Sequence, residues 1–254
     1  MSCQTIKCAR SISDQVFEIQ LNAPPANILS AAMMSEISAA LESAAADRNL
    51  KVIVISGAGE HFCYGASVEE HAPGTVADML RVFHGLVEQI MDHPLPTLAK
   101  VRGFCLGGGF ELALACSLLI ADQEAKFAVP EIQLGVFPPV AAALLPTTLA
   151  SHLILGGARL SARQLQQAGL LTEIAENGAL ESTVEHYVEN RLLPRSASSL
   201  RFAHRALRMV ELTRFRSVIG DLESLYLREL MASHDAVEGI QSFLQKRPAE
   251  WKNC

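Results

Sequence analysis

The sequence predicts an α/β fold with a helical C-terminal region. Short β-rich runs alternate with stretches of helical periodicity up to about residue 195, the pattern of parallel strands joined by helices. Beyond that point, 196–246 reads as successive helices with no convincing strand. Composition agrees. Half of the 254 residues are hydrophobic and only 6% are aromatic, with Ala, Leu, Ile and Val dominant, enough to build one large core. The division expected is an α/β core over 1–195 and a helical region over 196–254.

The elements follow in order. QVFEIQLN (15–22) and KVIVIS (51–56) are short β-rich runs, and 31–46 between them carries apolar residues at helical spacing. GAGEHFCYGASVEEH (57–71), with three glycines and two histidines, reads as a functional loop. A helix is expected over 76–91 and a buried strand within LPTLAKVRG (95–103). The glycine run and FELALAC come next, then LLIAD (118–122) and KFAVPEIQLG (126–135).

Charge and cysteines exclude several classes. A net charge of -6 with no basic run argues against nucleic acid as a partner. The longest apolar stretches fall well short of the ~18 residues that a membrane span needs. No apolar run follows the initial MSCQTIKCARS, so no secretory signal is expected. The cysteines at 3, 8, 63, 105, 116 and 254 lack CxxC or zinc spacing and read as reduced thiols of a cytoplasmic protein without a metal site.

The stretch CLGGGFELALAC (105–116) is the least generic part of the chain. Glycine costs about 1 kcal/mol against Ala in a helix, and a carboxylate among apolar residues is expensive to bury. It is no phosphate loop, because Gly-Lys-Ser/Thr is missing, and GAGEHF (57–62) has Phe62 where a third glycine belongs. If a helix starts in the glycine run, its first amides lack partners and favour negative charge. Glu111, three residues after Gly108, then projects near the same side. A tight turn with Glu111 as a mere dipole partner fits equally well locally. The second acid, Glu131 in FAVPEIQLG, also fits an exposed loop edge when taken alone. Together, two acids in apolar settings suit proton transfer, since desolvation raises carboxyl pKa values toward neutrality.

In LNAPPANILS (21–30), GEHFCYGASVEE (59–70), VRGFCLGGGFELALACSLLIADQEAKFAVPEIQLGVFP (101–138), LGGARLSARQLQQAGLLTEI (155–174) and DAVEGIQSFLQKR (235–247), the chain resembles the enoyl-CoA hydratase/isomerase (crotonase) superfamily along almost its whole length. The resemblance implies a spiral of ββα units followed by helices that assemble trimers or dimers of trimers. It implies an acyl-CoA thioester as substrate, with no cofactor besides the CoA that the substrate carries. It implies that the backbone N–H groups of Ala66 and Gly108 form an oxyanion hole. Glu111 would activate water and Glu131 would exchange the proton at the α-carbon.

The chain departs from the pattern at GVFPPVAAALLP (135–146), where hydratases usually have a glycine-rich turn. Repacking of a helix start and a reshaped acyl pocket both fit, the latter walled by Val136, Phe137, Pro139 and Val140 with Tyr64. Ala26, Ser67, Val68 and Lys246 are the candidates for holding CoA. With ANILS and GASVEEH, this stretch resembles the cyclohexa-1,5-diene-1-carbonyl-CoA hydratases, which implies a cyclic dienoyl substrate. A straight-chain enoyl-CoA hydratase is the alternative, and a crotonase-fold isomerase or an RNA-binding scaffold is a more distant one. His61 reads as support for the turn. Cys63 and Cys105 read as packing residues, since no His–Asp pair accompanies them.

Overall fold

The structure is a computed structural model that describes residues 4–72 and 74–254. β1 (Ile6–Ser11) and β2 (Val16–Leu21) pair antiparallel, and α1 (Ala31–Ala45) then leads to β3 (Val52–Gly57), parallel to β2. α2 (Val76–Met91) precedes β4 (Thr97–Val101), after which the chain leaves the first sheet for β5 (Phe104–Leu106). α3 (Gly108–Ala115), β6 (Leu118–Asp122) and β7 (Lys126–Ala128) follow. Then come α4 (Pro139–Leu144), α5 (Thr147–Ala150), β8 (Arg159–Ser161), α6 (Ala162–Gln167), β9 (Glu173–Ala175) and α7 (Leu180–Tyr187). The chain closes with α8 (Ala197–Arg228) and α9 (His234–Leu244).

Two sheets result. One has six strands in the order β1-β2-β3-β4-β6-β9, and the other has three in the order β5-β7-β8. This is the expected spiral: β2, β3, β4, β6 and β9 join the long sheet in parallel one after another, while β5, β7 and β8 form the short one. The VIVIS run is explained by a sheet buried on both faces. Val52, Val54, Leu98 and Ile120 meet α7 on one face, while Ile53, Ile55, Ala99 and Ala121 meet the helices on the other. β1 is absent from the sequence-based expectation for a physical reason. Of its six residues only Ile6 is buried, so no alternation marks it, and pairing with β2 makes it a strand.

α8 is one unbroken 32-residue helix, about 48 Å long, where successive helices were expected. Its buried side chains, Leu212, Phe215 and Tyr226, belong to the same core cluster as the sheet residues, as do Ala236 and Ile240 of α9. Among the described residues no helix is long and apolar enough to cross a membrane.

Candidate active site

The glycine run turns the chain from β5 into α3, and each glycine faces a different neighbour. Gly107 holds φ +51, and a Cβ there would lie 2.7 Å from Glu131 Oε1. A Cβ at Gly108 would lie 3.2 Å from the amide nitrogen of Ala66. One at Gly109 would strike Cys63, at 2.7 Å from its Cβ and 2.8 Å from its Sγ. A side chain is strained at Gly107 by its positive φ and blocked at Gly109 by a second chain segment, while at Gly108 a methyl would crowd the Ala66 amide.

The loop carrying Ala66 is tied down from three sides. Leu29 N–H donates to Gly65 O at 2.9 Å, and Ser67 N–H donates to Leu29 O at 3.2 Å. Leu106 N–H donates to Cys63 O at 2.9 Å, joining the loop to β5. Asn27, fully buried, donates through Nδ2 to the carbonyls of Ala58 and His61 at 2.9 Å and of Phe62 at 3.2 Å. Its Oδ1 accepts from Ala23 N–H at 3.0 Å. Sequence reading passed over this residue, although an Asn within an apolar run was a signal. His61 accepts from Phe104 N–H through Nδ1 and contacts the Tyr64 and Phe104 rings, supporting the turn. Ala66 and Gly108 thereby face each other, and among the described residues neither amide N–H has an acceptor in the protein. Two adjacent unengaged amides, one at a helix N-terminus, suit an anionic oxygen.

The two acids meet beside this pair. Glu111 is 3% exposed, and its Oε1 accepts from Ala141 N–H at 2.8 Å. That amide belongs to the first turn of α4, where Pro139 takes the first helical position and offers no donor. The unusual PPVAAAL segment therefore builds a helix start that grips Glu111. Burial pushes Glu111 up to about 7, against the pull of the α4 amides. Glu131 sits in the 3₁₀ turn Pro130–Leu134, with Oε2 buried and without a partner. Burial first, and then the charge of Glu111, lifts it well above the ordinary carboxyl range. Two acids so close titrate as one unit, and over a wide pH interval they share a single proton.

Both carboxyls, Ala66 and Gly108 line one cavity of about 430 Å³. Of the other predicted residues, Tyr64, Val68, Val136, Phe137 and Pro139 line it too. Val140 does not; its side chain is fully buried in the core, and only its amide faces Glu111. Ala26, Ser67 and Lys246 also lie outside the lining. Ala26 O accepts from Tyr64 N–H, Ser67 Oγ donates to Glu69, and Lys246 is exposed. Arg247 reaches the cavity where Lys246 does not, held by Glu238 at 2.5 and 2.7 Å. Burial pushes the Cys63 thiol up to about 12 and raises Cys105 as well, so both are inert packing residues here. Tyr226, from α8, completes the wall, its ring 5.3 Å from that of Phe137. No motif surrounds Tyr226 in the sequence.

The family described as Enoyl-CoA hydratase/isomerase matches residues 11–254. The cyclohexa-1,5-dienecarbonyl-CoA hydratase of Thauera aromatica is 42% identical over 242 residues, covering 94% of this chain and 93% of that protein. The 2,3-dehydroadipyl-CoA hydratase of Escherichia coli K12 is 32% identical, covering 95% of this chain and 97% of that protein. The crystal structure of an enoyl-CoA hydratase from Mycobacterium avium subsp. paratuberculosis K-10 superposes with a TM-score of 0.86. It shares 28% identity and covers 99% of this chain and all of that one.

Proposed function

The chain belongs to the enoyl-CoA hydratase/isomerase family and is a hydro-lyase of the enoyl-CoA hydratase type, and we propose that it hydrates a cyclic conjugated dienoyl-CoA thioester. The observation that carries the chemistry is one cavity holding two unengaged amides and two buried carboxyls.

The Ala66 and Gly108 amides hold the thioester oxygen as it gains charge. Losing one such donor typically removes ~2.7–4 kcal/mol of transition-state stabilisation. Ionised Glu111 takes a proton from water as the water oxygen bonds to the β-carbon. Protonated Glu131 returns a proton to the carbon skeleton. With cyclohexa-1,5-diene-1-carbonyl-CoA, attack at C2 converts the C1=C2 bond into an enolate conjugated with C5=C6. Protonation at C5 moves the remaining double bond to C6=C1. Renumbered, the product is 6-hydroxycyclohex-1-ene-1-carbonyl-CoA, so one water has added and no redox change has occurred.

The wall of Val136, Phe137, Pro138 and Pro139 favours a ring, since it is apolar and stiffened by two prolines. The Thauera relative supports the same substrate. Such a step belongs to the degradation of aromatic acids after ring reduction. The test is a steady-state comparison of the cyclic dienoyl thioester with crotonyl-CoA. We expect kcat/KM at least ~100-fold higher for the ring. Faster turnover of crotonyl-CoA would make the chain a straight-chain hydratase, and no turnover of either would end the hydratase reading.

A further inference from the structure

Among the described residues, two residues that line the cavity carry a buried polar atom without a partner: Glu131 through Oε2 and Tyr226 through Oη. They are not bonded to each other, although both side chains line the same space. Three other polar side chains of the lining are already engaged. His71 Nδ1 meets Ser67 O at 2.8 Å, Ser242 donates to Gly239 O, and Arg247 is held by Glu238. A buried phenol with no partner is unfavourable compared with a Phe of the same shape. Tyr226 is 1% exposed and its ring already packs edge-on against Phe137, so packing alone does not call for the hydroxyl.

The direction of the phenol narrows its role. After burial, the groups that act most strongly on Tyr226 are the carboxylates of Glu131 and Glu111, and all of these keep it protonated. It is therefore a donor. It stands on the side of the cavity where the acids handle water, while the thioester oxygen already has the two amides at Ala66 and Gly108.

Resting on the hydratase reading above, we infer that Tyr226 is a third polar group of the reaction: its O–H donates to the oxygen that is added to, or expelled from, the acyl chain. In hydration this bond orients the water, so that one hydrogen faces the Glu111 carboxylate and a lone pair faces the β-carbon. In the reverse direction it supports the departing hydroxyl oxygen while a carboxyl supplies the proton. Tyr226 keeps its own proton throughout. The bond also makes the pocket selective for a hydroxylated acyl group at this depth, and it is delivered by α8, far in sequence from both acids and both amides.

Tyr226→Phe removes the hydroxyl and keeps the ring that packs on Phe137. Calorimetry on the full-length protein would compare 6-hydroxycyclohex-1-ene-1-carbonyl-CoA with cyclohex-1-ene-1-carbonyl-CoA, which lacks only the hydroxyl. Wild type should bind the hydroxylated thioester about tenfold more tightly, the scale of one hydrogen bond. Tyr226→Phe should erase that difference, change the affinity for the deoxy thioester less than about twofold, and lower kcat by roughly 10- to 100-fold. Equal loss for both thioesters would make Tyr226 a packing residue and overturn the inference. So would unchanged affinities, or unchanged turnover. Should the variant not fold, parity of the two thioesters on wild type would overturn it just as directly. A wild type that prefers the hydroxylated thioester yet hydrates no enoyl thioester would sink the hydratase reading and leave the hydroxyl site standing.

Discussion

At the scale of single residues, the two glutamates are held in an environment that suits catalysis and opposes stability. The proposed mechanism requires Glu111 ionised and Glu131 protonated. With Glu111 at about 7 and Glu131 higher, kcat should follow a bell in pH whose acid limb lies near 7. Glu131→Gln and Glu111→Gln should each lower kcat at least ~100-fold. The double variant should be little worse than the poorer single one, because one missing proton-transfer partner already stalls the step. In Glu131→Gln the residual activity should keep its acid limb near 7 and lose the alkaline limb. An acid limb that stays in place in Glu111→Gln would assign it to another group. Stability runs the other way. Folding raises Glu111 from 4.5 to about 7, so the native state binds the extra proton between those values. Stability is full below about pH 4.5 and is lost as pH climbs through 7, by roughly 3 kcal/mol. Glu111→Gln should accordingly raise the melting temperature at pH 9 and leave it unchanged at pH 4.5. A variant less stable than wild type at pH 9 would contradict the burial account.

At the scale of elements, the turn from β5 into α3 separates chemistry from packing within two adjacent residues. A methyl at Gly108 would sit 3.2 Å from the Ala66 amide, in the space proposed for the thioester oxygen. A methyl at Gly109 would press on Cys63, which is locked to Cys105 through a strand-like bridge. Gly108→Ala should therefore fold and lose at least ~100-fold in kcat/KM, the scale of an oxyanion donor. Gly109→Ala should instead cost about 1–3 kcal/mol of stability through overpacking, measured by urea denaturation. An active Gly108→Ala would mean that the oxygen binds elsewhere. The same logic applies to α4, whose start at Pro139 turns an apolar sequence into a clamp for Glu111.

At the scale of the whole molecule, α8 presents apolar residues that nothing in the chain covers. Phe202 is 71% exposed, Met209 62% and Val210 78%, spaced to share one face, with Leu207 beside them. Patches of this kind mark contact surfaces. We expect trimers, or dimers of trimers, at micromolar concentration in sedimentation velocity. Met209→Asp with Val210→Asp should shift the protein toward monomers. A wild type that sediments as a monomer would refute the expectation. The buried face of the same helix ties α8 to the core: Arg208 donates to Ala115 O at 2.5 Å, and His84 pairs with Glu223 at 2.9 Å. Placement of Tyr226 therefore depends on the docking of the whole helix.

By itself the sequence determined the α/β class, most strands and helices, and the segments bearing Ala66, Gly108, Glu111 and Glu131, with the spiral implied by the family resemblance. These signals are local. Periodicity, glycine runs and acids in apolar settings are properties of a few neighbouring residues, and here each lies within a short stretch. What only the tertiary structure decided are contacts between distant segments. The grip of Ala141 on Glu111 spans 30 residues, and that of Asn27 on the 58–62 loop spans up to 35. Val140 leaves the pocket because the α4 helix turns its side chain into the core, and Arg247 reaches the cavity where the candidate Lys246 does not. Tyr226 carries no signal at all in its own stretch of α8. Its role arises from a cavity that closes only when α8 packs beside residues more than eighty positions earlier, and burial against a distant surface leaves no mark on local sequence.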